Sequence, residues 1–151
     1  MLDYHPELRK TIGPRELGGW LGQLVGWAEV DSLCQNIFTA EELAANWSAW
    51  ERFIQKLSRD RNINKRRAAL VFLVGPVSYS KDPRFTRLAF VTMESLKNEK
   101  EILITKALSW LLRSMIALHK KEVVTYIAKN KNSLPKIALR ETTRKLATGR
   151  K

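Results

Sequence analysis

Apolar residues recur at helical spacing along almost the whole chain, and the apolar–polar alternation that marks a strand is nearly absent. The clearest pattern lies in Glu101–Leu118, where the apolar residues follow i, i+3, i+4 spacing. These residues are Ile104, Ala107, Leu108, Leu111, Leu112 and Met115. With 151 residues, of which 44% are hydrophobic, the chain has the size of one domain and can bury a core. We therefore predict an all-α fold in a single domain over residues 1–151.

Start and stop signals divide the chain into eight predicted helices. They cover residues 14–25, 27–37, 39–58, 65–74, 84–96, 101–118, 121–129 and 135–146. Thr39-Ala-Glu-Glu42 is a capping-box pattern that opens the third helix, and a break in this helix is expected near Asn46. Asn64 is the predicted cap of the fourth helix, and Gly75-Pro76 is predicted to end it, with a loop from residue 76 to residue 83.

The glycines of the first predicted helix count against it, because glycine disfavours a helix interior. They are Gly18, Gly19 and Gly22. Alternatively, they permit a close contact between two helices.

Aromatic and charged residues recur at nearly equal intervals. Trp27 and Asp31 are four residues apart and share one face of a helix. Arg67 follows Trp27 by 40 residues, and the pair Trp110 and Arg113 begins 43 residues after Arg67. Repeats of roughly 40–47 residues are typical of HEAT-type solenoids, in which equivalent positions line one concave surface. We predict an α-α superhelix of this kind, with these residues converging on one ligand; a compact helical bundle is the alternative.

Charge is distributed unevenly along the chain. Residues 1–60 carry six Lys or Arg and nine Asp or Glu, whereas residues 61–151 carry 21 and six, for a total net charge of +12. A basic half of this kind indicates a polyanionic partner, most often nucleic acid. A solvated basic surface or a basic tail is the alternative explanation.

Each group of candidate residues also has a purely structural explanation. Trp27 and Trp110 could be core residues, since tryptophan is usually packed in the interior. The stretch Lys65-Arg66-Arg67 could be a solvent-facing basic segment, although an arginine fork also suits bidentate phosphate binding. Adjacent helical residues point about 100° apart, so only one of the two arginines can face a groove squarely.

Several functional classes have no support in the sequence. His5, His119 and Cys34 lie too far apart in sequence to suggest a metal site, and we expect Cys34 to be buried packing. A phosphate-binding loop of the GxxxxGK type, a zinc finger and a homeodomain signature are missing. We expect no cofactor and no membrane partner, since no apolar run reaches the length of a membrane span. The single cysteine and the lack of a signal-peptide pattern favour a cytoplasmic location.

Three blocks of this sequence resemble AlkD-like DNA alkylation repair proteins. They are Gly26-Trp-Ala-Glu-Val-Asp-Ser-Leu-Cys34, Asn64-Lys-Arg-Arg-Ala-Ala-Leu70 and Ile104-Thr-Lys-Ala-Leu-Ser-Trp-Leu-Leu-Arg113. The closing stretch from Leu134-Pro135 through Leu139-Arg140-Glu141 is also similar, so the resemblance spans about Trp20 to Leu146.

The resemblance implies a HEAT-like DNA glycosylase. Proteins of this family excise positively charged N3- or N7-alkylated purines from duplex DNA without a metal. By position, Asp31 would stabilise the cationic sugar and position water, and Trp27 and Trp110 would contact the deoxyribose of the lesion. The implied DNA-binding residues are Arg67, with Arg66 as the less favoured match, then Arg113 and Lys106 of the third block.

The resemblance also shows one departure. Family members carry further repeats before the Trp-x-x-x-Asp block, whereas only 26 residues precede Trp27. We therefore expect the chain to correspond to the C-terminal two-thirds of the family fold, with activity in question for that reason; the oligomeric state is unknown. A non-catalytic DNA-binding solenoid and a helical scaffold for a protein partner are the two other hypotheses.

Overall fold

The protein is all-helical over the residues that the computed structural model describes, which are residues 6–150 without the side chains of Pro6 and Asn36. The helices are α1 Pro6–Lys10, α2 Pro14–Gln23, α3 Trp27–Asn36, α4 Ala40–Ala45, α5 Trp47–Leu57, α6 Ile63–Tyr79, α7 Pro83–Leu96, α8 Ile102–Asn130 and α9 Lys136–Thr148. The all-α prediction is confirmed.

The helices form a superhelix with an inner row and an outer row. In the inner row, α6 packs against both α3 and α8, and α8 packs against α9. The outer helices α5 and α7 each pack on α6 and on one another. The inner helices begin at residues 27, 63, 102 and 136, so each repeat brings one new helix to the same side. This stacking is the predicted α-α superhelix.

One continuous apolar core runs between the rows. All six apolar residues predicted to face the core on Glu101–Leu118 are buried, as are four apolar residues in the middle of α6. The four are Ala68, Ala69, Val71 and Phe72. Helix α6 is buried on nearly every side because helices pack on it from both rows. A central helix of this kind is apolar all round, unlike an amphipathic surface helix.

The predicted end of α6 at Gly75-Pro76 is wrong. The helix continues through Pro76 to Tyr79, so the predicted loop over residues 76–83 shrinks to residues 80–82. Pro76 has no N–H for the carbonyl of Phe72, which normally costs about 3 kcal/mol in a helix interior. Here Pro76 and Val77 are both buried, and the Pro76 carbonyl accepts a 2.9 Å hydrogen bond from the backbone N–H of Ser80. Burial of this last turn overrides the local stop signal.

Helix α8 joins the sixth and seventh predicted helices. The chain changes direction at His119, whose backbone angles, φ −130° and ψ 37°, are not helical. The sequence placed this break at residues 118–121 but predicted two separate helices. By length and composition α8 is the one helix among residues 6–150 that could cross a membrane. Half of the relevant segment is buried by other helices, as expected of a core helix.

One of the two predicted caps was confirmed, together with the predicted helix break, and the other cap was displaced. Thr39 and Glu42 form the expected capping box, and the chain breaks at Asn46 between α4 and α5. Asn62, and not Asn64, caps α6 by accepting hydrogen bonds from the backbone N–H groups of residues 64 and 65. Asn64 instead donates a 2.7 Å side-chain hydrogen bond to the carbonyl of Leu24.

Helix α2 forms despite its three glycines, and one of them permits a close helix–helix contact. A Cβ at Gly18 would lie 3.3 Å from the ring of Phe53, so this glycine permits the close approach of α2 to α5. Gly19 has nothing within 4 Å of such a Cβ and therefore has no packing role.

Candidate functional site

Trp27, Asp31 and Arg67 form one cluster between α3 and α6. Arg67 donates from Nε to Asp31 Oδ1 at 2.8 Å and from Nη2 to Asp31 Oδ2 at 2.7 Å. The same guanidinium lies 5.9 Å from the centre of the Trp27 ring. Asp31 and Arg67 expose only 13% and 7% of their side chains, whereas Trp27 is 54% exposed. An open indole face therefore lies beside a nearly enclosed ion pair.

The local sequence explains how this cluster is positioned. Trp27 is the first residue of α3, so Asp31 follows one turn later on the same face. Arg67 lies one turn inside α6 and packs across to α3. Its Nη1 donates to the backbone carbonyl of Leu103 at the start of α8. One guanidinium therefore ties together three neighbouring inner helices.

The Asp31 carboxylate retains hydrogen-bonding capacity beyond Arg67. A carboxylate has about four acceptor positions, and Arg67 occupies one on each oxygen. The side chain is partly open to solvent. Asp31 can therefore still accept a hydrogen bond from a water or a ligand group that enters beside Trp27.

Arg67, not Arg66, is the arginine that faces this cluster. The Arg66 guanidinium forms an ion pair with Glu99, with Nε 2.6 Å from Oε1. It also donates from Nη1 to the backbone carbonyls of Asp60 and Arg61 at 3.0 and 2.8 Å. Arg66 thus fastens the start of α6 to the turn before it and to the loop before α8. Both arginines have carboxylate partners within the chain.

The candidate residues of α8 lie further along the same row. Trp110 is half-buried and packs against the core, while Lys106 is exposed. Leu103, Lys106, Trp110 and Arg113 follow one another at intervals of three or four residues and share one helix face. Trp110 lies seven residues beyond Leu103, which corresponds to about 10 Å along the helix. The fold therefore places the α8 residues on the same row as the α3–α6 cluster, without a direct contact between them.

Arg113 belongs to a second polar group, which the sequence did not predict. Its Nη2 lies 3.3 Å from Oε2 of Glu141 on α9, and that oxygen also accepts a 2.6 Å hydrogen bond from the Ser109 hydroxyl. Lys145 donates from Nζ to the Arg113 carbonyl at 3.1 Å. The four-residue spacing of Glu141 and Lys145 places both side chains on one face of α9. These contacts hold α9 against the face of α8 that carries Trp110.

Cys34 is buried directly behind the cluster, as predicted. Burial raises the pKa of its thiol well above the ordinary value of 9.0, and the negative charge of Asp31 raises it further. A thiol of this kind stays protonated and is a poor nucleophile. In residues 6–150 no group of three or more His, Cys, Asp or Glu side chains is arranged to hold a metal ion.

Comparison with known families assigns the chain. The sequence profile of the DNA alkylation repair enzyme family matches residues 9–146, which is most of the chain and includes both polar groups described above. No curated protein was found to match it. The family in question acts on alkylation damage in DNA, and its match agrees with the resemblance of the three sequence blocks. The chain therefore belongs to the DNA alkylation repair enzyme family.

Proposed function

We propose that this protein is a monofunctional DNA glycosylase that removes N3- or N7-alkylated purines from duplex DNA. The observation that carries the proposal is the exposed Trp27 ring beside the Asp31 carboxylate, on the inner row of a basic helical-repeat protein. The family match supports a role in DNA alkylation repair, and the proposal extends it to a reaction.

The chemistry requires only electrostatic stabilisation. An alkylated purine of this class carries a positive charge, so it leaves as a neutral base when the N-glycosidic bond breaks and the bonding electrons return to the ring nitrogen. No general acid is needed. The sugar becomes an oxocarbenium-like cation, and a carboxylate with electron-rich indole faces stabilises such a cation. Water then adds to C1′ and releases its proton to solvent.

Each site residue has a role in this proposal. Asp31 uses its remaining acceptor positions to orient water and to stabilise the sugar cation. Trp27 and Trp110 contact the deoxyribose with their indole faces. Arg67 acts as a positioning residue, because its two hydrogen bonds fix the orientation of the carboxylate. Arg113 and Lys106 lie on the Trp110 face of α8 and bind the phosphate backbone.

The Asp31–Arg67 ion pair also supports an alternative function. Arg67 offsets part of the negative charge of Asp31, and a neutralised carboxylate stabilises a cation less well. The alternative is a non-catalytic protein that binds DNA through its phosphates. In that case Asp31 only anchors Arg67.

The discriminating assay is the release of free methylated base from alkylated duplex DNA, measured by chromatography. We expect release by the wild-type protein and a loss of about 100-fold in Asp31→Asn, the size typical of a removed electrostatic stabiliser. Glu41→Gln is the matched control, since it removes an exposed carboxylate of α4. If the wild-type protein releases no base and Asp31→Asn behaves identically, the glycosylase proposal fails.

DNA affinity tests the binding half of the proposal separately. Arg113→Ala should weaken binding and lower the slope of log affinity against log salt by about 0.9, the amount expected for one phosphate contact. An affinity for duplex DNA that is insensitive to salt would contradict both DNA functions. An unchanged slope in Arg113→Ala would remove this residue from the interface.

A further inference from the structure

A second concave surface lies at the C-terminal edge of the superhelix, between the last part of α8 and α9. It is a groove of about 640 Å³. Its floor is largely apolar and includes Ile127, Ala128 and Leu139. Its rim carries four cations, which are Lys131, Lys136, Arg140 and Arg144. We call this surface the α8–α9 groove.

The α8–α9 groove is separate from the proposed repair site. On α9, Ala138 and Thr142 face the core, and Glu141 points to Ser109 and Arg113. Leu139 lies two residues before Glu141 and therefore projects from the opposite flank of the helix. The groove and the Trp110 face of α8 are thus on different sides of α9.

An exposed apolar stripe on α8 lengthens the floor of the groove. Val124 is 47% exposed and lies one turn before Ile127 and Ala128, at i, i+3, i+4 spacing. Val124 has no polar function, and Tyr126 and Val123 already fill the core side of this part of α8. An apolar helix face that remains uncovered beside a concave surface is typical of a binding site for another helix.

The rim charge indicates the chemistry of the partner. None of the residues that line the groove is acidic. The charged groups of the four rim cations form no ion pair with any carboxylate in residues 6–150, whereas Arg113, Arg66 and Arg67 elsewhere in the fold each pair with a carboxylate. A surface of four unpaired cations around an apolar floor is complementary to apolar side chains flanked by carboxylates.

The N-terminal edge of a second copy of this chain is not a suitable partner for the groove, because it is not acidic. The cleft between α2 and α5, about 600 Å³, is itself lined by Arg15, Arg52, Lys56 and Lys65, with Asp60 as the one carboxylate. Head-to-tail stacking would place these two basic surfaces against each other, which like charges disfavour. Nucleic acid fits less well than an acidic helix, because phosphates gain nothing from the apolar floor.

We propose that the α8–α9 groove is a docking site for an acidic amphipathic helix of a partner protein. The apolar face of that helix packs on Val124, Ile127 and Leu139, and its flanking Asp or Glu residues pair with the rim cations. The site is independent of base release, so a partner can be bound without covering Trp27 or Asp31.

The experiment uses the full chain and a synthetic peptide of about 18 residues with leucine at i, i+3, i+4, i+7 and glutamate on both flanks. Fluorescence anisotropy of the labelled peptide should show saturable binding. Arg140→Glu/Arg144→Glu should weaken it at least 10-fold, and Leu139→Asp should do the same. Lys81→Glu/Lys100→Glu is the control, since it makes the same charge change at two exposed loop residues and should leave the affinity unchanged.

Three outcomes would overturn the proposal. One is the absence of saturable binding to the wild-type chain. Another is equal binding of a peptide in which lysine replaces every glutamate. The third is that Arg140→Glu/Arg144→Glu weakens binding to undamaged duplex DNA, the control variant does not, and peptide binding is unaffected in both. This outcome would assign the groove to nucleic acid. Circular dichroism of each variant verifies that the fold is retained.

Discussion

Arg67 binds both carboxylate oxygens of Asp31, at 2.8 and 2.7 Å, and the two side chains come from helices 36 residues apart in the sequence. The pair joins α3 to α6 in a region where little solvent reaches it. The two residues have different roles in the proposed reaction: Asp31 would stabilise the sugar cation, and Arg67 would hold the Asp31 carboxylate in position.

Substitutions of Asp31 and Arg67 should have non-additive effects on the free energy of unfolding, because the two residues form an ion pair. Arg67→Met leaves a nearly enclosed carboxylate without its partner, and breaking such a pair costs about 3 kcal/mol of unfolding free energy. Asp31→Asn/Arg67→Met removes both charges and should recover at least about 1 kcal/mol of that loss. Urea unfolding followed by circular dichroism measures each variant. Additive effects of the two substitutions would show that the pair contributes no coupling.

Trp27 should be dispensable for stability but not for activity. Its side chain is 54% exposed, so Trp27→Ala removes little buried surface and should change the unfolding free energy by less than about 1 kcal/mol. Base release should fall, because the indole face beside Asp31 is lost. Trp110→Ala is the informative comparison, since this half-buried ring packs on the core and its loss should reduce stability as well. Equal stability losses in the two variants would contradict this difference.

Cys34 should be protected from thiol reagents in the folded chain. Burial, reinforced by the charge of Asp31, raises the pKa of the thiol, so the reactive thiolate is scarce at neutral pH. Because Cys34 is the single cysteine, labelling with a thiol reagent reports on one site. Labelling should begin only in urea, with a midpoint that coincides with unfolding by circular dichroism. Rapid stoichiometric labelling without urea would show that this part of the core opens.

Asp82 should make the stability of the chain sensitive to acid. Hydrogen bonds from the Arg84 side chain, and then from its backbone N–H, lower the pKa of Asp82 below its ordinary value of 3.8. A lowered pKa in the folded state means that the stabilisation is present above pH 3.8 and is lost as the pH falls through the folded value. Asp82→Asn keeps the N-cap of α7 but removes the charge. The wild-type advantage over Asp82→Asn in thermal unfolding should be constant near pH 6 and shrink below pH 3.8. An advantage that is independent of pH would exclude this contribution.

Local patterns predicted most of the helices because their signals are local. The capping box at Thr39, the break at Asn46 and the apolar stripe of Glu101–Leu118 depend on residues within a few positions of each other. The errors occurred where distant packing decides. Pro76 stays inside α6 because the surrounding helices bury it, and no neighbouring residue signals that burial. Helix α1 was not predicted, since it has only five residues; Arg9 pairs with Glu42, at 3.0 Å, to hold it against α4.

In the candidate site, too, features within one helix were predictable and contacts between helices were not. The Trp27–Asp31 pair was predictable because it needs only the four-residue repeat of one helix. Helix geometry alone left the choice between Arg66 and Arg67 open, because it depends on the rotation of α6 relative to α3, and only the family resemblance favoured Arg67. Trp110 lies on α8, in the same helix row as α3 and α6. The sequence did not predict that Glu141 of α9 contacts Arg113.

The break at His119 determines how the second half of α8, and α9 after it, are rotated relative to the first half of α8. No loop separates the two halves of α8, and the ring of His119 is fixed by a 3.1 Å hydrogen bond to the Ser80 carbonyl and a 3.3 Å contact with the Thr86 hydroxyl. Inserting one residue there would turn the second half of α8 by about 100° relative to the first. That rotation would carry α9 away, and with it Glu141 from Ser109 and Arg113. The position of α9 relative to the Trp110 face therefore depends on the rotation of α8 at His119. A change in the length of α8 at this point should disturb that position far more than a substitution.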